Sequence, residues 1–197
     1  MIDRYALPEL RELFSEQHKL DLWLRIELLA VEARHAAGQV PDDDWKRIRA
    51  STGSVDGGRA REIEAESQHD VIAFLRSVTE RMGPEGRWLH FGLTSSDVLD
   101  TATAVVLRDA TAFVEEELEE LAVVVRGIAL EHRSTPMVGR SHGIHAEPIT
   151  FGFKAAGWLA EVQRDQARLA RAREGIAVGK ISGAVGTHAH VNAEVER

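Results

Sequence analysis

No cysteine occurs among the 197 residues. Disulfides, thiolate zinc sites and cysteine nucleophiles are therefore excluded, and the composition fits a reducing, cytoplasmic setting. Positive charge is in deficit, with 24 Lys and Arg against 32 Asp and Glu and a net charge of −8. A general nucleic-acid surface needs clustered positive charge and is not expected; a local basic site for a small anion stays open. No apolar run nears the roughly 18 to 20 residues that cross a bilayer. The opening "MIDRYALPEL" also lacks the apolar core of a signal peptide. Membrane and nucleic acid are thus set aside as partners.

Helical periodicity fills most of what remains. With 44% hydrophobic residues, the length suits one domain, or a domain and part of another. Leu20, Trp23, Leu24, Leu28 and Val31 recur at three and four, giving one buried stripe between Ser15 and Ala37. Gly38 is its stop, with Pro41 beyond. "PDDDWKRIRAS" reads as a short helix with an acidic first turn. "STGSVDGG" reads as a loop. The pattern is helical again from Arg59 to Met82, although "SQHDV" in its middle is polar, and "GPEG" is another break. Between Ser96 and His132 there is no proline, and the only glycine is Gly127. A helix of that length runs about 50 Å at ~1.5 Å per residue. It cannot bury its stripe alone and needs other long helices, from this chain or from other copies. A second long helix is expected from about Pro148 to Arg173, with proline in its first turn. No alternating strand pattern stands out. The fold class is all-α: a small N-terminal helical domain over 1–93, then a partial long-helix bundle over 94–197.

Four stretches carry ionisable or hydroxyl groups in unusual density. "GRSHGIHAEP" places Ser141 and His142 between glycines, so that His142, whose ordinary pKa lies nearest neutrality, can project into a cleft as a general acid or base. A solvated surface turn accounts for the same spacing. His142 and His145 also make H-x-x-H, but no third ligand is evident, and no metal is assigned. "SQHDV" sets Gln68, His69 and Asp70 in a helical segment, where sequence neighbours face different ways; an exposed polar turn is the alternative. "HFGLTSSDVLD" puts Thr94, Ser95, Ser96 and Asp97 at the start of the longest helix. One hydroxyl there suffices as an N-cap, and the others are free for an anion. "DRY" adds Arg4 and Tyr5 near the start. "GKISGAVG" fails the P-loop spacing. His188 and His190 are read as solvated.

These stretches together with "GKISGAVGT" occur in the order seen in the adenylosuccinate lyase branch of the fumarase/aspartase superfamily, which the whole chain resembles. The resemblance implies anti β-elimination of fumarate from succinyl-purine nucleotides: adenylosuccinate to AMP, and the succinylated aminoimidazole carboxamide ribotide. No metal or organic cofactor takes part. It implies His142 as general acid and His69 as a second catalytic histidine, with Gln68 and Asp70 in the substrate-binding stretch. Thr94 and Ser95 would hold a substrate carboxylate, Arg4 and Tyr5 the nucleotide phosphate, and His90 would also line the site. Ser141 replaces the family's usual threonine, and Gln68 stands where arginine or asparagine is common. Lys180 and Ser182 lie in a family-like segment without an assigned role. The family's basic serine, in a Ser-Ser-x-Met-Pro-x-Lys context, has no counterpart here. The chain is accordingly expected to be an N-terminal portion, inactive alone, of a cytoplasmic homotetramer. Alternatives are an argininosuccinate lyase-like or other superfamily lyase, and a non-catalytic helical oligomerisation module.

Overall fold

The computed structural model describes residues 2–191 and 195. Seven α-helices and one two-stranded sheet make up the regular structure of the described residues, with short 3₁₀ turns at Asp3–Tyr5 and Pro84–Trp88. The chain divides into two compact units, residues 1–106 with 178–197, and residues 107–177.

The first unit is built on α2, Glu16–Ala36, which follows the short α1, Pro8–Leu13. Ser15 caps α2 by accepting the His18 N–H at 3.0 Å, satisfying one of the donors that every helix start leaves open. Leu20, Trp23, Leu24 and Val31 are buried as the periodicity requires, and Leu28 is partly so. Trp23 meets Phe74 edge to face at 5.6 Å. Gly38 ends the helix with φ +72°, a conformation that costs glycine no steric penalty. The acidic first turn of "PDDD" opens α3, Asp42–Ser51.

The expected single helix from Arg59 to Met82 is two helices: α4, Gly57–Ser67, and α5, Asp70–Thr79. Gln68 turns left-handed at φ 55° to end α4, and His69, extended at φ −148°, caps α5. The polar "SQH" is therefore a junction: Gln68 leaves the helical region and the His69 ring does the work of a capping oxygen. The "GPEG" break carries a 3₁₀ turn in which Glu85 accepts the Gly83 N–H at 2.9 Å.

The long helix α6 runs Ser95–Glu131, as its freedom from proline foretells. Its first turns pack into the first unit through Val98 and Ala102; the rest belongs to the second.

In the second unit the structure corrects two expectations. Strands do occur: β1, Pro136–Ser141, pairs antiparallel with β2, Ile144–Thr150. Pro148 lies in β2 opposite Val138, which a two-stranded ribbon tolerates because the missing N–H costs no ladder bond at an edge. The second long helix, α7, is Phe151–Ile176, capped by Thr150, whose hydroxyl accepts the Phe153 N–H at 3.0 Å. The hairpin escaped the periodicity because its partly buried residues run consecutively, Met137 with Val138 and Ile149 with Thr150, and show no apolar alternation. A register shift between Val138 and Arg140 marks a bulge. Gly139 sits there because a Cβ would fall 2.4 Å from the Glu147 carbonyl oxygen.

The end of α6 and the start of α7 are tied by hydrogen bonds from the Phe151 and Gly152 amides to the Thr135 and His132 carbonyls, both 2.9 Å. An ion pair at 2.7 Å joins Arg173, near the end of α7, to Glu115, in the middle of α6. These two ties, 115 to 173 and 132 to 152, describe an antiparallel helix pair. Among the described residues, no helix is long and apolar enough to cross a membrane.

Candidate active site

In the second unit, Ser141 and Ile144 pair across a two-residue turn. The turn is His142-Gly143, with φ 52° and 76°. Positive φ at both central positions is what a type I′ hairpin turn demands, because its twist matches that of the strands. Gly143 accepts this without strain; His142 holds it against the Cβ penalty. The imidazole is consequently presented at the tip of a ribbon, exposed with Ser141. His145 lies in β2 opposite Arg140. Among the described residues, no three His, Asp or Glu side chains converge as a metal ion requires.

In the first unit the expected residues fall into four places. Arg4 lies over the Tyr5 ring at 4.7 Å, a cation–π contact on an exposed turn. At the α4–α5 junction the Gln68 amide donates to the Ala65 carbonyl at 2.9 Å, and the His69 Nδ1 lies 3.5 Å from Asp70 Oδ1. His69 and Asp70 thus share one side of the junction, instead of pointing apart as they would mid-helix. Thr94 and Ser95, half-buried, open α6. Within this unit no hydrogen bond or ion pair among the described residues joins the Arg4–Tyr5, Gln68–Asp70 and Thr94–Ser95 groups to one another.

His90 is engaged differently. Its backbone N–H and its ring Nδ1 both meet the Glu27 carboxylate, each at 2.6 Å. Glu27 is 0% exposed. A buried carboxylate with no partner would cost several kcal/mol, so His90 satisfies a charge that α2 carries into the core. A left-handed φ of 60° lets it offer both donors at once.

The most heavily bonded group is Asp97, 1% exposed. One oxygen accepts the Lys180 ammonium at 2.6 Å and the Ser182 N–H at 3.1 Å. The other accepts the Thr94 N–H at 3.0 Å and the Gly183 N–H at 3.1 Å. Burial alone would push its pKa up; Lys180 and the Thr94 and Ser182 amides outweigh this and hold it below the ordinary 3.8. The Lys180 ammonium also approaches Ser96 Oγ at 3.4 Å. It offsets the Asp97 charge, so the start of α6 keeps its attraction for an anion.

The sequence profile of the lyase family matches residues 4–197. The chain belongs to this lyase family. Among curated members, adenylosuccinate lyase of Synechocystis sp. is 53% identical over 196 residues, which is 100% of this chain and 45% of that one. The Bacillus subtilis adenylosuccinate lyase is 44% identical over 197 residues, 100% of this chain and 46% of that one. The crystal structure of a fumarate lyase from Mesorhizobium sp. BNC1 matches with a TM-score of 0.90 at 33% identity, covering 97% of this chain and 46% of that chain. The chain therefore spans less than half the length of the curated lyases it matches.

For a lyase-family chain, the residues missed by sequence reasoning are Asp97, Lys180 and Glu27. Asp97 was legible in part: Thr94-x-x-Asp97 has the capping-box spacing, in which the fourth residue reaches back to the N-cap amide. Its union with Lys180, 83 residues away, leaves no local trace. Glu27 occupies a stripe position between Leu24 and Val31, where a charge signals a buried partner. Nothing in the sequence says that the partner is His90.

Proposed function

We propose that a complete polypeptide carrying these residues is an adenylosuccinate lyase, releasing fumarate from adenylosuccinate to leave AMP, and from the succinylated aminoimidazole carboxamide ribotide. The identity of 44–53% to curated enzymes of that name, across the whole chain, carries the reading. In the reaction a base removes the proton from the carbon beside a carboxylate, and the electron pair left behind is delocalised into that carboxylate. The carbon–nitrogen bond then breaks, its pair going to nitrogen, and an acid protonates the departing amine. His142 is that acid. Its place at a hairpin tip, exposed and with a left-handed backbone, supports the role. Thr94 and Ser95 hold a substrate carboxylate at the α6 start, Arg4 and Tyr5 the phosphate, and His69 with Gln68, Asp70 and Ser141 completes the contacts. His90 acts through Glu27 and the fold. The substrate carries two carboxylates and a phosphate, so an acidic protein has to gather such local donors for it.

The complete protein is a cytoplasmic homotetramer in this reading. Exposed apolar side chains on the long helices, among them Leu121, Val124 and Trp158, support burial against other helices.

His142→Gln in the complete enzyme should lower fumarate release at least ~10²-fold, the low end for general acid catalysis. Near-normal turnover would remove His142 from the mechanism. Failure of the unaltered complete enzyme to release fumarate from adenylosuccinate would overturn the substrate assignment. The 197-residue chain alone, which holds an acid but no assigned base, should be inactive in the same assay.

A further inference from the structure

Two successive turns of α6 grip the segment from Lys180 to Gly183. Thr101 accepts the Lys180 N–H at 2.9 Å and donates its hydroxyl to the Lys180 carbonyl at 3.1 Å. Four residues earlier, on the same face of the helix, Asp97 takes the Lys180 ammonium and the Ser182 and Gly183 amides. Gly183 stands at φ +76°, a left-handed conformation that glycine adopts freely and in which its amide reaches the carboxylate. The same carboxylate holds the Thr94 N–H. One buried group thus fixes both the backbone that carries the Thr94–Ser95 hydroxyls and a segment 83 to 86 residues further along.

We propose that Asp97 and Thr101 are positioning residues that clamp the Lys180–Gly183 segment onto the start of α6 and so set the place of the Thr94–Ser95 hydroxyl pair. This rests on reading that pair as the grip on a substrate carboxylate. The carboxylate form is essential: Asp97 accepts from four donors, which an amide cannot do, because its nitrogen is itself a donor. Lys180 balances the charge, so the clamp adds rigidity at the helix start without repelling an anion there.

The test has two arms. In the 197-residue chain, Asp97→Asn should speed hydrogen exchange at the Ser182 and Gly183 amides at least about tenfold, the factor that corresponds to losing one ordinary hydrogen bond. Exchange at Phe74 and Val78 in the core should stay unchanged. In the complete enzyme the same variant should raise KM for adenylosuccinate about tenfold with kcat within about threefold, the pattern of lost substrate binding. Simple loss of folded protein would lower the apparent kcat and leave KM alone. Thr101→Val, isosteric and only half-buried, keeps the question open to measurement should Asp97→Asn fail to fold. It should speed exchange at the Lys180 amide about tenfold and raise KM about threefold. Unchanged exchange at these amides, or an unchanged KM in both variants, overturns the proposal. If the unaltered complete enzyme lacks lyase activity, the functional reading fails, and the exchange arm still decides whether the clamp exists.

Discussion

Asp97 and Glu27 are carboxylates that the fold takes almost wholly out of water, and each has its own means of satisfaction. Glu27 relies on one residue, His90, for both of its bonds. Asp97 draws on four residues in two stretches of chain. Its folded pKa lies below the ordinary 3.8, so its stabilisation is fully present above about pH 4 and fades as pH falls through the depressed folded value. Thermal melts of the chain and of Asp97→Asn from pH 3 to 7 should therefore differ most near neutrality and converge toward the acid end. A gap of constant size across that range would show that the charge itself contributes nothing. Single residues of this kind were the least legible part of the sequence. A motif names a side chain and its neighbours in sequence, whereas a buried charge is explained by a partner tens of residues away. His142 was legible as a candidate because glycines flank it. Its left-handed backbone was not, because His-Gly is an unusual pair for a turn that favours Asn-Gly.

Among the elements, helices are legible where an apolar stripe or the lack of proline decides the matter. Periodicity misleads where a cap intervenes. Gln68 and His69 interrupt a pattern that periodicity alone would carry through, and Thr150 takes the N-cap two residues after the expected Pro148. The hairpin is illegible because burial along its strands does not alternate, so no single buried face is imprinted on the sequence. Its bulge and the α6–α7 junction each depend on a glycine with no room to spare. At Gly152 a Cβ would sit 2.5 Å from the Ala129 carbonyl oxygen and 2.6 Å from the Arg133 Cα. These are backbone atoms and cannot swing aside. Gly152→Ala should destabilise the helix pair by about 2–3 kcal/mol, within the usual range for overpacking, seen as a lowered denaturation midpoint in urea. A midpoint within error of the parent would mean that the junction is looser than these distances indicate.

At the scale of the whole molecule, the second unit leaves large apolar side chains bare on its two long helices. Leu121, Val123, Val124, Leu130, Phe153 and Trp158 are all exposed, and soluble chains seldom leave such faces uncovered. The purified chain should self-associate in sedimentation velocity between about 1 and 100 μM, the range of ordinary weak-to-moderate interfaces. Val124→Glu should shift it toward the monomer by placing a charge in the contact. A monomer throughout that range would remove copies of this chain as the cover. The sequence already held this argument in outline, since a helix of about 50 Å outruns any small core; which residues stay bare needed coordinates.

The Asp97 clamp also fixes an order of events at the ribosome. Asp97 is made 86 residues before Gly183, which at 5–20 residues per second is a delay of about 4 to 17 s. Through that interval its carboxylate has no ammonium and only one of its three amide partners, and dehydrating it then would be costly. The corner of the N-terminal core around Val98 must stay wet until the glycine-rich segment arrives. Sealing that corner waits on a stretch of chain translated well after the helices it closes.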